Sequence, residues 1–522
     1  MVVIKSLEDR RLKIQHDLDL ARPRGERNRL GQFATPGDLA TEIVTLAKTH
    51  SRGRRAIRFL DPAFGTGAFY SALLGCFPES RIERAVGYEI DPYYGDAAAR
   101  LWKGTPLKLI MEDFTRTKSP AEENAKANLI ICNPPYVRHH HLGVDDKRRL
   151  REASSRSSAV ELNALAGLYC HFISLAHAWM AEDALALWLI PSEFMDVNYG
   201  TPLKEYLLNR VTLLGIHRFD PEAVQFDDAL VSSAVVSFRN RPPEPDHAVE
   251  FSFGGSLLKP TTTKTLLRGV LRADMKWSGL VFASARRGNG STLSDLFAIK
   301  RGIATGANDF FILPERKVQE LGLPTLFTRP ILPSPRHLRT DRIESDSAGN
   351  PLLDNRLFLL SCQVPERLVQ EKYPPLWHYL QTGIAKGVAG RYLCQHRSPW
   401  YSQEERDPAR LLCTYMGRTG RDKGAFRFIL NHSRAIAANV YLMLYPKAPL
   451  ARLLQEEPTL LGLVWEALRL IPAEALTRVG RVYGGGLHKL EPNELAEAPA
   501  DTVLTVLPKG FVRTDRQLAL SW

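Results

Sequence analysis

The chain has 522 residues, and 44% of them are hydrophobic, which is enough for about two to four domains with substantial cores. Lys and Arg together number 69, Asp and Glu number 57, and the formal net charge is +12. This composition excludes an intrinsically disordered chain. The positive charge favours a polyanionic partner such as nucleic acid.

Cysteine spacing and hydropathy indicate the cellular setting. The six cysteines lie far apart, without the short paired spacing of a zinc site or a disulfide framework. No stretch approaches the roughly 18 uncharged apolar residues of a membrane span, and the first residues lack a signal-peptide core. The sequence therefore predicts a cytoplasmic protein with reduced thiols and no membrane partner.

The first elements in chain order are a charged arm and a helix start. Residues 1–30 show a weak helical period and end in the basic stretch 22–29, which predicts a helical arm with a solvated surface, whose arginines could also contact phosphate. The segment Gly-Gln-Phe-Ala-Thr-Pro follows at 31–36, and Thr35 and Pro36 are start signals for the next helix. A helix amino terminus can receive an anionic group.

Residues 57–74 read as a strand, a glycine-containing turn and a helix. Asp61 stands at the strand end, and Gly65 and Gly67 permit a tight turn with close backbone approach to a ligand. This arrangement predicts a nucleotide-type pocket. The acid departs from the dinucleotide fingerprint, because Asp61 would repel a pyrophosphate, so a positively charged or zwitterionic amino acid group fits better.

Two further predicted strands end in acidic residues. The strand over 84–91 ends on two acids, Glu89 and Asp91, and Glu89 is a carboxylate suited to accept both hydroxyls of a ribose. The strand over 107–114 ends with Asp113 and Phe114, which suit an adenine amine and a purine face. Each acid alone could cap a helix or face solvent. Acids at three successive strand ends instead predict one shared site.

The central motif of the sequence is the run at 128–137, Asn-Leu-Ile-Ile-Cys-Asn-Pro-Pro-Tyr-Val. Its apolar half predicts a buried strand, and two prolines then end the strand and give a stiff, extended edge. The side-chain oxygen of Asn133 and the carbonyl of Pro134 can accept from a planar amine, and Tyr136 can stack on its π-face. A simple turn is the competing interpretation. The run predicts a pocket for an amino group on a flat heterocycle or amide.

Downstream, the pattern predicts an apolar helix over 161–181, strands over 184–191 and 212–219, and a hairpin that runs to residue 240. Three adjacent histidines at 139–141 do not predict a metal site, because they cannot all face one ion without a distorted backbone. Beyond about residue 285, β-like runs, glycines, basic residues and aromatics indicate a second domain.

The ordered segments GQFATP, DPAFGTG, GYEID, EDF and NPPY resemble the gamma-class DNA adenine-N6 methyltransferases of restriction-modification systems and are similar to the Taq adenine methyltransferase. The resemblance implies an α/β fold with a Rossmann-like S-adenosylmethionine-dependent sheet and a C-terminal α+β target-recognition domain. It implies an N-terminal helical arm at 1–30, a catalytic domain at 31–285 and the recognition domain at 286–522.

The resemblance also implies the site residues. The cofactor S-adenosylmethionine would be bound by Thr35, Pro36, Asp61, Pro62, Ala63, Gly65, Gly67, Glu89, Asp113, Phe114 and Asn133. The target base would be held by Asn133, Pro134, Pro135 and Tyr136. Phe226 would cover the other face of the base, with nearby Phe219 as the alternative.

The expected function is sequence-specific methylation of adenine N6 in double-stranded DNA, with no metal. Cytosine N4, an RNA base and a protein glutamine are alternative acceptors, although cytosine-N4 enzymes usually carry Ser in place of Asn133. A non-catalytic DNA-binding subunit is the alternative of a different class. A separate restriction endonuclease and a monomeric state are further expectations. The recognised DNA sequence stays open.

Overall fold

The computed structural model describes residues 2–51, 56–220, 232–244, 246–282, 291–418, 424–483, 486–508 and 511. The chain divides into two compact units. The N-terminal unit comprises Met1–Ala285 with Tyr483–Gly486, and the C-terminal unit comprises Arg286–Val482 with Leu487–Trp522.

The N-terminal unit is built on one large sheet. Its strands are β1 Ile57–Asp61, β2 Ile82–Tyr88, β3 Leu107–Ile110, β4 Ala127–Cys132, β5 Met180–Pro191, β6 Thr212–Arg218, β7 Ser233–Arg239, β8 Ala248–Gly255 and β9 Pro260–Leu267. Its helices are α1 Val2–Ala21, α2 Arg24–Leu30, α3 Gly37–His50, α4 Ala68–Cys76, α5 Pro92–Leu101, α6 Val144–Ser158, α7 Leu168–Ala176 and α8 Thr201–Asn209.

The described strands of this sheet follow the order β3-β2-β1-β4-β5-β7-β6-β8-β9. Strands β1 to β5 pair in parallel, and β7 lies antiparallel between β5 and β6. Successive residues of β4 enter two different hydrophobic clusters, Leu129 and Ile131 on one side, Ile130 and Cys132 on the other. The sheet is therefore covered on both faces, which explains why its central strands are apolar throughout.

The parallel order brings the carboxyl ends of three strands to one edge of the sheet. Asp61 is the last residue of β1, Glu89 follows β2, and Asn133 follows β4. Because β1 lies between β2 and β4, these three positions become neighbours at the point where the strand order reverses. The residues that the sequence predicts at strand ends therefore meet at this edge.

Two predicted strands are shorter than the sequence pattern indicates. Strand β2 ends at Tyr88, because the side chain of Asp91 accepts from the Tyr93 backbone N–H at 3.0 Å and so caps α5. Strand β3 ends at Ile110, and Asp113 caps a short 3-10 helix instead of ending the strand.

The helix predicted over 161–181 is confirmed only over Leu168–Ala176. Asn163 forms a local turn before it, since its side-chain oxygen accepts from the Leu165 N–H at 2.9 Å. Strand β5 already begins at Met180.

The N-terminal arm consists of α1 and α2, and one side of it is packed against the unit. The Arg11 side chain is 1% exposed and donates to the Thr66 hydroxyl at 3.2 Å, and Arg27 is also buried. The expectation of a solvated arm is wrong for this side. A helical period shows which residues share a face, but not whether another element covers that face.

The C-terminal unit mixes short strands with helices. Its strands are β10 Phe297–Arg301, β11 Ile312–Pro314, β12 Thr328–Ile331, β13 Arg342–Ile343, β14 Leu357–Leu360, β15 Leu411–Thr414, β16 Met416–Arg418, β17 Phe428–Asn431, β18 Tyr441–Pro446, β19 Arg481–Tyr483 and β20 Leu487–Lys489. Its helices are α9 Leu293–Leu296, α10 Asn308–Phe311, α11 Glu315–Glu320, α12 Glu366–Lys372, α13 Pro374–Ala385, α14 Tyr392–Gln395, α15 Ala448–Glu456, α16 Leu460–Arg469, α17 Ala473–Val479, α18 Pro492–Ala496 and α19 Asp501–Leu504.

The largest sheet described in this part of the chain has the order β10-β18-β15-β17-β13 and is mainly antiparallel. Helices α16 and α19 add Val464, Trp465 and Val503 to the hydrophobic cluster that covers it. The predicted α/β class, with a Rossmann-like sheet and a C-terminal α+β part, is confirmed. In the part of the chain that the structure describes, no helix is both long and apolar enough to cross a membrane.

Candidate active site

The segment that precedes α3 runs beside the Asn-Pro-Pro-Tyr motif and holds it by hydrogen bonds. The Tyr136 backbone N–H donates to the Gly31 carbonyl at 3.0 Å. The Asn133 amide Nδ2 donates to the Phe33 carbonyl at 3.0 Å and to the Thr35 hydroxyl at 3.1 Å. Both amide hydrogens of Asn133 therefore have acceptors, and the amide is fixed in one orientation.

This orientation leaves the Asn133 oxygen without a partner. Its Oδ1 atom is buried and accepts no hydrogen bond from the residues that the structure describes. Leaving a buried acceptor unpaired costs about 1–3 kcal/mol, so native proteins rarely tolerate one without a function. The arrangement is that of an acceptor prepared for a donor that arrives with a ligand.

Gly31 permits the close approach of the two segments. Its φ is +65°, and a Cβ atom placed there would lie 2.5 Å from the Tyr136 backbone nitrogen. A side chain is therefore excluded both by the backbone conformation and by the contact. The glycine of the GQFATP segment is needed for the pairing that orients Asn133.

Tyr136 is mostly buried, with 8% of its surface exposed. Its hydroxyl donates to the Leu189 carbonyl at 3.2 Å, and its ring centroid lies 5.5 Å from that of Phe33. Burial raises the pKa of the hydroxyl well above its ordinary value. The hydroxyl thus anchors the residue to β5, the ring belongs to a hydrophobic cluster, and its stacking on a base stays a prediction.

A cavity of about 490 Å³ lies at the carboxyl edge of the sheet. The predicted cofactor residues that line it are Pro62, Ala63, Gly65, Glu89, Asp113, Phe114 and Asn133, and Pro135 of the base motif lines it as well. A volume in this range suits a small organic cofactor. Residues from four separate sequence segments are thus brought together as predicted.

Four predicted cofactor residues lie outside that lining. Thr35 and Pro36 line a second cavity of about 850 Å³. Gly67 has a φ of +90° at the start of α4, where a Cβ would lie 2.6 Å from the Trp102 indole nitrogen, so it shapes the turn. Asp61 is buried at the end of β1 and does not line this cavity. The binding roles of all four stay predictions.

Two residues are candidates for the aromatic ring expected over the second face of a base. Phe226 lies outside the described residues. Phe219 is buried, with its ring centroid 4.6 Å from that of His217, and it lines the second cavity with Phe33 and Thr35. The choice between the two stays open.

Glu89 combines a fixed carboxylate with spare acceptor capacity. Its Oε2 accepts from the Gly65 N–H and its Oε1 from the Asp91 N–H, each at 2.8 Å. Burial raises the pKa of Glu89, and these hydrogen bonds oppose the shift. A carboxylate has about four lone-pair positions, so two remain for the hydroxyls of a bound ribose.

Asp61 is 1% exposed and is hydrogen-bonded to the start of the glycine turn. Its Oδ1 accepts from the Ala63 N–H at 3.2 Å. Burial raises its pKa to about 7, and the charge of Glu89 adds to the shift. Asp61 therefore shapes the loop that forms the cavity wall.

Asp113 and Phe114 form the far wall. Asp113 accepts from the Thr115 N–H at 2.9 Å and forms an ion pair of 3.2 Å with Arg116, so much of its acceptor capacity is already used. The Phe114 ring is buried, with its centroid 5.5 Å from that of Tyr88. Phe114 contributes mainly apolar support at this wall.

Sequence reasoning missed several residues that line the cavity. Gln15, Asp19 and Arg22 come from the arm, whereas Ile90 and Phe172 provide apolar surface. Ile90 stood directly after Glu89 in a segment already singled out and could have been found. The local sequence around the arm residues does not indicate their role, because Arg22 contacts Asp91, which lies 69 positions further along the chain.

The cavity fits S-adenosylmethionine in its chemistry. Glu89 offers acceptors for ribose hydroxyls, Ile90 and Phe172 offer apolar surface for a flat base, and the Gly65 turn permits close backbone approach. With the sheet order and the strand-end acids, these features define the class of S-adenosylmethionine-dependent methyltransferases. S-adenosylmethionine is the cofactor.

Comparisons with known proteins show which families the chain is similar to. Residues 280–518 match the model described as "Type II methyltransferase M.Eco57I, C-terminal domain", and residues 99–225 match "Eco57I restriction-modification methylase". The resemblance to gamma-class methyltransferases of restriction-modification systems is thereby confirmed.

Two relatives are similar over most of their length. Type II methyltransferase M.XamI of Xanthomonas campestris pv. amaranthicola is 29% identical over 480 residues, which cover 90% of this chain and 84% of the relative. Type II methyltransferase M.AccI of Acinetobacter calcoaceticus is 26% identical over 487 residues, covering 90% of this chain and 85% of the relative.

Among solved structures, the Type IIL restriction-modification enzyme MmeI in complex with DNA has a similar fold. The TM-score is 0.51 at 13% identity, and the likeness covers 92% of this chain and 71% of that chain. The similarity concerns the fold of the two proteins.

Proposed function

We propose that the chain is a sequence-specific DNA adenine-N6 methyltransferase that modifies a flipped-out adenine in duplex DNA. One observation carries the proposal: the buried Asn133 Oδ1 has no donor, while both hydrogens of the same amide are held by Phe33 and Thr35. A planar exocyclic amine with two N–H groups supplies the missing donor.

The main contribution of the protein to this reaction is to orient the two reactants. The bound cofactor supplies a methyl carbon on a positively charged sulfur. Asn133 Oδ1 accepts one hydrogen of adenine N6, and the Pro134 carbonyl accepts the other, which makes the nitrogen lone pair more available. Asn133 and Pro134 would thus hold N6 for the methyl group that S-adenosylmethionine would supply, with its sulfur as the leaving group, and the proton lost from N6 would pass to water. Holding both reactants in line supplies much of the acceleration.

Base flipping follows from the depth of the acceptor. Asn133 Oδ1 is buried, so a base stacked inside a duplex cannot reach it. Rotating the adenine out costs a few kcal/mol. We assign stacking on one face of the base to the Tyr136 ring and cover of the other face to Phe226, with Phe219 as the alternative.

DNA is the proposed substrate because of the net charge and the C-terminal unit. The formal net charge of +12 favours a polyanion. Residues 280–518 match the C-terminal domain model of a Type II methyltransferase, and the similarly folded MmeI was solved with DNA. These observations support a target-recognition role for residues 286–522.

We propose that the chain is the modification enzyme of a restriction-modification system. The two matched family models and the relatives M.XamI and M.AccI support it. A separate restriction endonuclease that cuts the same DNA site, and a monomeric methyltransferase, complete the proposal. Light scattering of the purified protein with and without duplex DNA tests the monomeric state.

The decisive experiment is transfer of labelled methyl groups from S-adenosylmethionine to duplex DNA, followed by nucleoside analysis. Wild type should yield N6-methyladenine, and Asn133→Ala should reduce the rate by at least 1,000-fold, on the order of 4 kcal/mol. The matched control is Asn124→Ala, because Asn124 is exposed in a short 3-10 helix, and its rate should stay within about twofold.

The product distinguishes the alternatives. N4-methylcytosine, or label in RNA or in protein glutamine, would refute the adenine assignment and identify another planar acceptor. Cofactor binding without transfer to any of these would support a non-catalytic DNA-binding subunit. Full activity of Asn133→Ala would show that the unpaired oxygen is not the amine acceptor.

A further inference from the structure

The N-terminal arm forms part of the wall of the cofactor cavity. Gln15 and Asp19 of α1 and Arg22, which follows α1, all line it. Polar side chains at a cavity surface are available to a ligand or to the residues that hold the ligand.

Arg22 is the centre of a compact polar network. Its Nη1 donates to Asp91 Oδ2 at 2.5 Å and to Gln32 Oε1 at 3.1 Å, and Gln32 Nε2 donates to the same Asp91 oxygen at 2.8 Å. The guanidinium carbon also lies 4.9 Å from the Tyr93 ring centroid. Three separate segments of the chain therefore meet at one guanidinium.

The network connects the two walls of the cavity. On one side, the Asp91 N–H donates to Glu89, the carboxylate suited to the ribose hydroxyls. On the other side, Gln32 directly precedes Phe33, whose carbonyl holds the Asn133 amide. A shift of Arg22 would consequently disturb the ribose wall and the segment that orients Asn133.

The arm is also fixed at a second place, so Arg22 is presented from a firmly packed element. The Thr66 hydroxyl donates to Gln15 Oε1 at 2.7 Å, and Arg11 donates to the same hydroxyl at 3.2 Å. The Tyr94 hydroxyl donates to Asp19 at 2.9 Å. These contacts join α1 to the beginning of α4 and to α5.

We propose that the N-terminal arm completes the S-adenosylmethionine site and that Arg22 is a positioning residue that holds the two walls of the cavity together through Asp91 and Gln32. The inference deepens the proposed function, because it concerns the cofactor site used by the proposed reaction. Ligands that bind a preorganised site avoid the cost of ordering it, so this network strengthens cofactor binding.

An incidental surface ion pair is the competing explanation, and burial argues against it. Exposed pairs contribute little to stability because water and salt screen them. The Arg22 and Asp91 side chains are only 17% and 14% exposed. Its other partners, Glu26, Gln32 and Tyr93, restrict the guanidinium further.

The test is calorimetric binding of S-adenosylhomocysteine to the full chain without any methyl acceptor. Arg22→Ala should weaken binding at least tenfold, and Arg22→Gln, which keeps one donor, should weaken it less. The matched control is Arg10→Ala, an exposed basic residue on the same helix α1, which should stay within twofold of wild type. Thermal melting establishes that each variant is folded.

Kinetics separate positioning from a general loss of structure. For Arg22→Ala, KM for the cofactor should rise in parallel with the dissociation constant, and kcat at saturating cofactor should fall by a smaller factor than the affinity does. Asp91→Asn keeps an acceptor that can cap α5 but removes the charge. The double variant Arg22→Ala with Asp91→Asn should bind the cofactor less than twofold more weakly than Arg22→Ala alone. Both changes remove the same interaction, the one between Arg22 and Asp91.

Binding within twofold of wild type by a folded Arg22→Ala would overturn the inference. If that variant does not fold, Arg22→Gln decides in the same way. A wild type that binds S-adenosylhomocysteine but methylates no adenine would refute the proposed function, and the binding comparison would still test the role of Arg22.

Discussion

The Thr35 hydroxyl and the Asn133 amide, 98 residues apart in the sequence, are joined by a hydrogen bond of 3.1 Å. Thr35 accepts from Nδ2, and so does the Phe33 carbonyl. An asparagine amide has one donor end and one acceptor end, so fixing the donor end determines where the acceptor points. The segment before α3 therefore sets the polarity of the proposed amine pocket.

The first prediction concerns this hydrogen bond. Thr35→Val keeps the shape of the side chain but removes the acceptor, which should cost about 1–2 kcal/mol of transition-state stabilisation. We expect the single-turnover rate of methyl transfer at saturating cofactor to fall about 5- to 30-fold. Thr35→Ser, which keeps the hydroxyl, should retain most of the rate.

The control for Thr35 is Thr41→Val on α3. The Thr41 hydroxyl is exposed and donates to the Gly37 carbonyl of its own helix. Its loss should change the rate by less than about twofold. Equal rates for Thr35→Val and wild type would contradict an orienting role for Thr35.

The second prediction concerns the Glu89 carboxylate. Glu89→Gln retains one backbone acceptor but places an NH₂ group where the other oxygen meets a backbone N–H. We expect cofactor affinity to fall about 10- to 100-fold, since a charged hydrogen bond contributes about 1.5–3 kcal/mol. Calorimetry with S-adenosylhomocysteine measures the change.

Glu83→Gln provides the matched control for Glu89. Glu83 lies on the same strand, β2, with its side chain 51% exposed, and meets Arg58 only at 3.9 Å. Its affinity should stay within twofold of wild type. A Glu89→Gln variant that binds as tightly as this control would exclude Glu89 from the ribose site.

The third prediction uses two glycines of the same region. Gly31→Ala introduces a Cβ at 2.5 Å from the Tyr136 nitrogen and a side chain at a φ of +65°, so it should lower the free energy of unfolding by about 2–4 kcal/mol. Gly25→Ala lies in α2, where a Cβ would meet nothing within 4 Å. That change should be neutral or stabilising by up to about 1 kcal/mol.

Denaturant unfolding measures both glycine variants, and methyl transfer follows on the folded protein. Gly31→Ala should lose activity beyond its loss of stability, because the pairing that orients Asn133 is disturbed. The close approach would be refuted by a Gly31→Ala variant with the stability and activity of Gly25→Ala.

The fourth prediction concerns pH. Burial raises the native pKa of Asp61 to about 7, whereas the unfolded carboxyl ionises near about 3.9. Between these values the native state binds more protons than the unfolded state, so this residue makes stability fall as pH rises. Its contribution is fully present below about pH 4 and is lost by about pH 7.

Asp61→Asn should remove this pH dependence, because the amide does not titrate and its oxygen can still accept from the Ala63 N–H. Unfolding of both proteins at several pH values between 4 and 8 gives the comparison. The variant should gain stability relative to wild type by a few kcal/mol across this window. A difference that stays constant with pH would show that Asp61 is not buried in its neutral form.

Several elements were predictable from local sequence. Strand β4 ends at Cys132, just before Asn133, Pro134 and Pro135, because proline cannot donate to the sheet ladder. The strands at 184–191 and 212–219 were recognised by their apolar runs, and the structure has β5 and β6 there. Strand ends were less predictable, since Asp91 and Asp113 act as caps.

The sequence by itself determined the α/β class, the glycine turn, the strand-end acids and the Asn-Pro-Pro-Tyr edge. Hydrophobic period, proline geometry and glycine freedom act within a few residues and are therefore visible locally. Only the tertiary structure decided which end of the Asn133 amide faces inward and that Arg22 meets Asp91. Those contacts depend on how distant segments pack, and hydrogen bonds between them leave no periodic signal in the chain.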